Sequence, residues 1–246
     1  MEHHYKIKKA FTLAEVLITL GVIGIVAAMT LPTLIQKQQE KIAVTRLKNV
    51  YSIFSQAYLR AVSDNGPIES WDIGTQDSAS GALELYDYFR PYLLKVRECK
   101  TNAGCFYDGK YKALNNPVYA WQPSTHPVYA KGILANGVSF IFWSAGSGCK
   151  LDYSANHQGH YLNTCGIIHV DINGYSAPNQ AGVDFFDFVI TKGGIVPAGM
   201  VDYKSVYGSS CKFKDTSNKN GTACTAWVIV NGNMDYRRRD ISSEWK

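Results

Sequence analysis

The segment Lys8-Lys9-Ala10-Phe11-Thr12-Leu13-Ala14-Glu15, with the apolar run from Val16 to Ile35 that follows it, decides how this chain is organised. As a helix, residues 11–35 would extend about 37 Å, which exceeds the ~30 Å hydrocarbon core of a bilayer. Glu15 is the only formally charged residue in that run. The sequence therefore predicts a membrane-spanning helix with a single acid near its start.

The residues before this helix predict its orientation. Lys6, Lys8 and Lys9 precede the apolar run, and a basic flank is retained on the cytoplasmic side of a membrane. We therefore expect a single-pass protein of the inner (cytoplasmic) membrane, with a cytoplasmic N-terminus and an exported C-terminal part.

The same residues resemble the signal and N-terminal helix of the type IV pilin and type II secretion pseudopilin superfamily. The resemblance rests on residues 8–10 before residues 11–15, on the apolar helix, and on Gly24 and Pro32 within it. It covers about the first fifth of the chain. The family usually has glycine before the cleaved bond, where this chain has Ala10.

The resemblance implies processing and assembly. Prepilin peptidase would cut between Ala10 and Phe11, and the new amine of Phe11 would be N-methylated. The implied partners are other pilin-like subunits, an inner-membrane assembly platform and membrane lipid. The mature subunit would enter a filament in the periplasm or outside the cell.

Glu15 needs a partner for physical reasons as well. A carboxylate at the centre of a bilayer costs up to ~3 kcal/mol, so an acid within a membrane segment indicates function. Cleavage at Phe11 would create an α-amine with a reference pKa near ~7.7, which is mostly cationic at neutral pH. Glu15 could pair with this amine within one helix, or with that of the adjoining subunit, as the resemblance implies.

Gly24 and Pro32 predict a weak segment between them. Pro32 lacks an N–H and its ring opposes the carbonyl of Ala28, so we expect a kink there. Gly24 adds backbone freedom. In the resembled pilins the corresponding region is extended in the filament, so we expect Ile25 to Leu31 to melt on assembly.

Two other interpretations of the apolar run remain open. One is an ordinary signal peptide cut after Ala28, with Val26 and Ala28 at the small-residue positions, and the other is a plain membrane anchor. Helical periodicity continues to about Ser63, which a signal peptide does not need. The periodic residues are Ile42, Leu47, Val50, Tyr51, Phe54, Ala57, Tyr58 and Ala61.

Four segments follow from these patterns. Residues 1–10 are the leader, 11–35 the transmembrane part of the helix, and 36–65 its amphipathic part. The helix should stop at Gly66-Pro67, because glycine adopts positive φ and proline cannot continue the hydrogen-bond ladder. Residues 66–246 form the globular domain.

The globular domain is predicted to be α+β, as in pilins. A helix is expected over Ala82 to Val96, kinked or divided by Pro91. Asn136-Gly137 between apolar runs predicts a hairpin. The sheet should be antiparallel and should pack on the second half of the long helix. The predicted strands are 128–134, 138–143, 167–172, 185–190 and 226–230.

Six cysteines lie in the part predicted to be exported, where disulfides form. They fall into three local pairs, so the favoured connectivity follows sequence proximity; the alternative is a metal site, which the absence of C-x-x-C spacing disfavours. The favoured pairs are Cys99 with Cys105, Cys149 with Cys165, and Cys211 with Cys224.

The loop from Asp171 to Asp184 is rich in Asn, Asp, Gly and Pro, and it resembles a loop in the globular domains of pseudopilin-like proteins. Asp171, Asn173 and Asp184 offer the hard oxygen ligands that Ca²⁺ requires. The same residues are also common in tight turns. We favour turn chemistry and keep calcium as the alternative; no other cofactor is expected.

No sequence motif of an enzyme is present among those we considered, which were G-x-S-x-G, the P-loop and H-E-x-x-H. His157, His160 and His169 could in principle hold zinc, but nothing places them on one helical face. The net charge of +5 and the short run Arg237-Arg238-Arg239 do not favour nucleic acid.

The sequence thus predicts a non-enzymatic, pilin-like structural subunit of a type II secretion pseudopilus or a type IV pilus. The alternative is a membrane-tethered exported domain that binds a ligand or catalyses a reaction and never polymerises.

Overall fold

A continuous helix opens the described part of the chain. In the computed structural model, which describes residues 12–154, 157–200 and 210–244, this helix is α1, Leu13–Asn65. By its internal contacts the chain divides into two units, Met1–Lys41 and Ile42–Lys246. Each unit is described by itself.

In the first unit, the described residues form the first part of α1, which is apolar as far as Ile35. Its large side chains are exposed, from Leu13 at 80% to Ile35 at 53%. An 18-residue window of α1 has a mean hydropathy of 2.2, and none of that window is buried. By length and composition α1 is therefore able to cross a membrane.

In the second unit, the remaining part of α1 is amphipathic. It buries one face at the spacing of three and four residues that marks a helix packed on one side. The buried residues are Val44, Leu47, Val50, Phe54, Ala57, Tyr58 and Ala61. The helix ends at Asn65, and Gly66 follows with a φ of 77°, a conformation that favours glycine.

A second helix, α2, spans Ala79–Phe89 and begins with a side-chain cap. The Ser78 hydroxyl accepts a hydrogen bond from the Gly81 N–H at 3.0 Å, which satisfies one of the free amides of the first turn. The predicted helix over residues 82–96 is too long. A 3₁₀ turn at Arg90–Tyr92 contains Pro91, and a strand follows, because proline cannot continue the ladder and the next residues pair with the sheet.

Within the described residue ranges, six strands form one antiparallel sheet in sequence order, as the α+β prediction requires. The central hairpin closes at Asn136-Gly137, where Gly137 has a φ of 83°. The sequence did not predict β1, which is rich in charged residues, or β6, which has only four residues. The strands are β1 Lys95–Lys100, β2 Ala130–Leu134, β3 Ser139–Ser144, β4 Thr164–Asp171, β5 Phe185–Thr191 and β6 Gly194–Pro197.

The four central strands, β2 to β5, are buried on both faces. On one face, Phe54 of α1 packs edge-on against Phe140 and Phe142 of β3, with ring centroids 5.9 Å apart in each pair. Strand residues of the opposite parity, such as Ile141 and Trp143, face a second core. Phe106, Tyr111, Tyr119 and other residues of segment 101–129 cover that second core.

One predicted strand is wrong. Residues 226–230 lie in a helix, α3, Thr225–Asn231, and not in a strand. A short apolar run rich in β-branched and aromatic residues cannot be assigned by periodicity alone. Gly232 ends this helix with a φ of 67°, and its N–H bonds to the Val228 carbonyl at 3.0 Å.

The six cysteines form three disulfides, and the pairing is the one that sequence proximity favours. The bonds join Cys99 to Cys105, Cys149 to Cys165, and Cys211 to Cys224.

Candidate functional site

The predicted processing residues, Ala10 and Phe11, lie outside the described residues. The first described residue is Thr12, and the acid predicted to act in assembly lies three positions later. The geometry of the N-terminal site therefore begins at the start of α1.

Thr12 and Glu15 form a reciprocal cap on α1. The Thr12 N–H donates to Glu15 Oε2 at 2.8 Å, and the Glu15 N–H donates to Thr12 Oγ1 at 3.2 Å. The Thr12 hydroxyl also donates to Glu15 Oε2, at 2.8 Å. This capping box satisfies two amides that have no partner in the helix. The carboxylate predicted to pair with an amine therefore has a partner within its own first turn.

Thr12 is a residue that the sequence analysis missed. The signal was present, because Thr12-Leu13-Ala14-Glu15 matches the S/T-x-x-E pattern of a capping box.

Gly24 and Pro32 lie within α1, which continues through Ile25–Leu31. A Cβ added at Gly24 would meet nothing within 4 Å. Around Pro32, the Thr30 hydroxyl donates to the Val26 carbonyl at 2.9 Å and the Thr33 hydroxyl to the Thr30 carbonyl at 2.8 Å. The expected melting concerns the assembled state and stays a prediction.

Asp171 and Asp184 are buried at the two ends of the loop that joins β4 to β5, whose tip at residues 175–178 is exposed. Asp171 ends β4 and Asp184 directly precedes β5, and their side chains are 0% and 2% exposed. Asp171 accepts hydrogen bonds from the Tyr111 hydroxyl at 2.5 Å and the Asn173 N–H at 3.1 Å. Asp184 accepts from the N–H groups of Asn179 at 2.8 Å and Gln180 at 2.6 Å.

Burial dominates the electrostatics of this pair. Desolvation raises the pKa of Asp171 well above its usual range, and the negative charge of Asp184 raises it further. Desolvation also raises the pKa of Asp184 to about 6, against the lowering effect of the two N–H groups that it accepts from. Two buried carboxylates that repel each other favour either a shared proton or a cation.

Three more polar atoms belong to the same loop and its neighbouring strand. Among the described residues, Asn173 Oδ1, Asn179 Oδ1 and Ser139 Oγ are buried and have no hydrogen-bond partner. Ser139 stands opposite Asp171 in the pairing of β3 with β4. Tyr111 and Ser139 were not predicted, because segment 101–129 and β3 approach this loop only in the folded chain. Asn179 lies within the predicted loop but was not named among its oxygen ligands.

The remaining candidates do not converge. His169 is buried and its Nδ1 lies 2.6 Å from Asp187 Oδ1, whereas His157 is exposed and its Nδ1 lies 2.5 Å from Asp152 Oδ2. In the part of the chain that the structure describes, no three His, Cys, Asp or Glu side chains form a metal-binding group.

The arginine run is largely neutralised. Arg239 pairs with Glu244 and, at 3.0 Å, with Asp235, and Arg238 pairs with Asp235 at 3.2 Å. Asp235 precedes the run and Glu244 follows it. The charges of Arg238 and Arg239 are therefore balanced by neighbouring acids.

The long apolar helix, the antiparallel sheet domain and the three disulfides together define an α+β protein with a helix able to cross a membrane. Residues 5–31 match the prokaryotic N-terminal methylation motif, so the chain carries the prepilin-type cleavage and methylation signal of type IV pilins and pseudopilins. Residues 33–113 match a family of unknown function, DUF6613. No curated protein and no solved structure shows a significant match to this chain.

Proposed function

We propose that this protein is a structural subunit that prepilin peptidase cuts between Ala10 and Phe11, and that assembles through its N-terminal helix into a type II secretion pseudopilus or a type IV pilus. The observation that carries the proposal is the methylation motif at residues 5–31. The helix that contains the end of this motif exposes its large apolar side chains, which therefore need either lipid or neighbouring helices.

The orientation of the subunit follows from the same segment. Lys6, Lys8 and Lys9 retain the N-terminus in the cytoplasm, so the domain with the disulfides is exported. An inner-membrane assembly platform would then move the mature subunit from the lipid into the filament. The three disulfides support this direction, because such bonds persist in oxidising compartments.

Glu15 is proposed to act in assembly by neutralising the amine of Phe11 in an adjoining subunit. In the monomer its carboxylate accepts both the N–H and the hydroxyl of Thr12. Both of these bonds end on Oε2, so an incoming ammonium can bind the second carboxylate oxygen, Oε1, without breaking them. Gly24 and Pro32 are proposed to let the helix extend once the subunit is in the filament.

Co-expression with a prepilin peptidase tests the proposal. Mass spectrometry of the N-terminus should show a mature protein that begins at methylated Phe11, and an inactive peptidase should leave the leader in place. A change at the cleaved bond, Ala10→Leu, is the matched control and should block processing. A membrane-tethered domain that never polymerises would instead keep residues 1–10 and would not form sedimentable filaments with the assembly platform.

We further propose that the loop of Asp171, Asn173 and Asp184 holds calcium. Two carboxylates and the unpartnered amide oxygens of Asn173 and Asn179 supply up to six oxygens, which is the lower end of what Ca²⁺ takes. When bound, the ion would neutralise the repelling pair and fix the connection between β4 and β5.

Thermal unfolding of the full chain in detergent, with Ca²⁺ or Mg²⁺ after chelation, tests this second proposal. Calcium should raise the midpoint by several degrees, because a ligand that binds only the folded state stabilises it. Magnesium should do less, because it demands a stricter octahedral site. The variant Asp184→Asn should lose the response, and an equal midpoint with and without calcium in the parent protein would refute the site.

A further inference from the structure

A buried lysine occupies the second core. Lys131 lies on β2 between Tyr129 and Ile133 and shares their face of the strand. Its side chain is 0% exposed. Burial of an ammonium group in an apolar core is costly unless hydrogen bonds satisfy it, so the acceptors around Lys131 decide whether this core can close.

Three main-chain carbonyls accept hydrogen bonds from the Lys131 ammonium. Its Nζ lies 3.0 Å from the Thr101 oxygen, 3.4 Å from the Asn102 oxygen and 3.0 Å from the Ser124 oxygen. An ammonium has three donors, so the group is fully satisfied. No carboxylate is among these partners, and desolvation lowers the pKa of Lys131.

Two of the three acceptors belong to a loop that a disulfide closes. Thr101 and Asn102 lie between Cys99 and Cys105, which are bonded to each other and are buried in the second core. The loop leaves the edge strand β1, so one of its flanks has no neighbouring strand. The disulfide therefore holds two carbonyls over the ammonium at the open edge of the sheet.

We propose that Lys131 makes closure of the second core conditional on the Cys99–Cys105 disulfide. In the dithiol form the loop can open, and the carbonyls of Thr101 and Asn102 then hydrogen-bond to water. The buried ammonium retains only its hydrogen bond to the Ser124 carbonyl. The core then opens to hydrate the charge. The domain would complete its folding only after export, in an oxidising compartment.

The bond forms by exchange with a disulfide oxidant, either a small molecule or a protein. The thiolate of one cysteine attacks the oxidant and releases a first thiol, and the other cysteine then attacks the mixed disulfide and releases a second thiol. Two electrons and two protons leave Cys99 and Cys105 and are recovered in the two thiols of the reduced oxidant.

Loop entropy alone predicts a different order of importance for the disulfides. Cys99 and Cys105 are 6 residues apart, whereas Cys149 and Cys165 are 16 apart, and a longer closed loop is expected to stabilise more. If Lys131 is coupled to the Cys99–Cys105 disulfide, loss of this bond should open the second core, although its loop is the shorter one. Cys149–Cys165, which lies in the other core, is therefore the matched control.

Amine acetylation of the full chain in detergent, read by mass spectrometry, tests the proposal. Lys131 should be protected in the oxidised protein and should react at least tenfold faster in Cys99→Ser/Cys105→Ser. It should stay protected in Cys149→Ser/Cys165→Ser. The exposed Lys110 should react equally in all three proteins and serves as the internal reference. Unchanged protection of Lys131 in Cys99→Ser/Cys105→Ser would overturn the proposal.

A second variant separates coupling from simple unfolding. Lys131→Met removes the charge but keeps an apolar stem of similar length. In the oxidised protein it should lower the urea midpoint, because three carbonyls lose their donor. In the Cys99→Ser/Cys105→Ser background it should raise the midpoint or restore folding. A loss of stability in both backgrounds would show that the disulfide and Lys131 act independently.

Discussion

Glu15 and Thr12 bind each other across the first turn of α1, with the Glu15 carboxylate accepting the Thr12 N–H at 2.8 Å and the Thr12 hydroxyl accepting the Glu15 N–H at 3.2 Å. This cap holds the carboxylate at the end of the helix that carries the processing signal. The acid is therefore positioned before any second subunit arrives.

The first prediction separates the charge of Glu15 from its role as a cap. Glu15→Val should leave membrane insertion and cleavage intact and should impair incorporation into filaments. Glu15→Gln keeps an oxygen for the Thr12 amide but removes the charge, so it should impair incorporation as well. Sheared filament yield, measured against total processed subunit, reads out the effect.

Thr12→Val is the matched control for that prediction. It removes the hydroxyl of the cap, which should destabilise the start of the helix by about 1 kcal/mol, but it keeps the carboxylate. Filaments should still form. Normal assembly of Glu15→Val would exclude the assembly role, whereas failure of Thr12→Val alone would assign the effect to the cap.

A second prediction concerns the thiols. Because all six cysteines are paired, alkylation of the mature protein under denaturing, non-reducing conditions should label none of them. Reduction before alkylation should label all six and gives the full-scale reference. Labelling of two or more cysteines without reduction would contradict the pairing.

A third prediction concerns pH. In the folded chain the pKa of Asp184 is raised to about 6 by burial, above the ~3.9 of an unfolded aspartate. The folded state therefore binds more protons between these values, so without divalent cations stability should increase as pH falls from about 7 to about 5. Over this window the Asp184 titration alone should add roughly 1 kcal/mol.

Urea unfolding of the chelated protein at several pH values measures this slope. Asp184→Asn removes one of the two titrating groups and should make the slope shallower. With calcium present the slope should also weaken, because the ion stabilises the charged pair. A parent protein whose stability falls steadily from pH 7 to pH 5 would contradict the raised pKa of this pair.

A fourth prediction tests the packing of the amphipathic half of α1. Phe54 is 0% exposed and contacts two phenylalanines of β3, so Phe54→Ala should cost roughly 3 to 5 kcal/mol. Leu59→Ala on the same helix, where the side chain is 65% exposed, should change stability by less than about 0.5 kcal/mol. Equal midpoints for the two variants would show that this face of the helix does not pack as described.

A fifth prediction concerns Pro32. If Ile25 to Leu31 melts on assembly, a filament map of the parent protein should show an interrupted helix there, and Pro32→Ala should restore helical density or reduce assembly. The isolated subunit has a continuous helix through this segment. An unbroken helix in the parent filament would rule the melting out.

Elements whose signals are local could be predicted from the amino-acid sequence. Apolar run length and periodicity predicted α1, its amphipathic face and its end near Gly66. Asn136-Gly137 predicted the hairpin, and short spacing predicted the disulfide partners. Each of these signals depends on residues that are neighbours in the chain, so periodicity and turn chemistry were sufficient.

Other features depend on residues that are distant in the sequence and meet only in the folded chain, so they could not be predicted. The helix at residues 226–230 could not be predicted from the sequence, because an apolar run of that length fits a buried strand or a buried helix equally well. Edge strand β1 formed because β2 supplies its partner. Asp171 gained Tyr111, and Lys131 gained the carbonyls of Thr101 and Asn102, through chain reversals that no local pattern encodes. Burial set the energetics of both groups, and burial is a property of the assembled core.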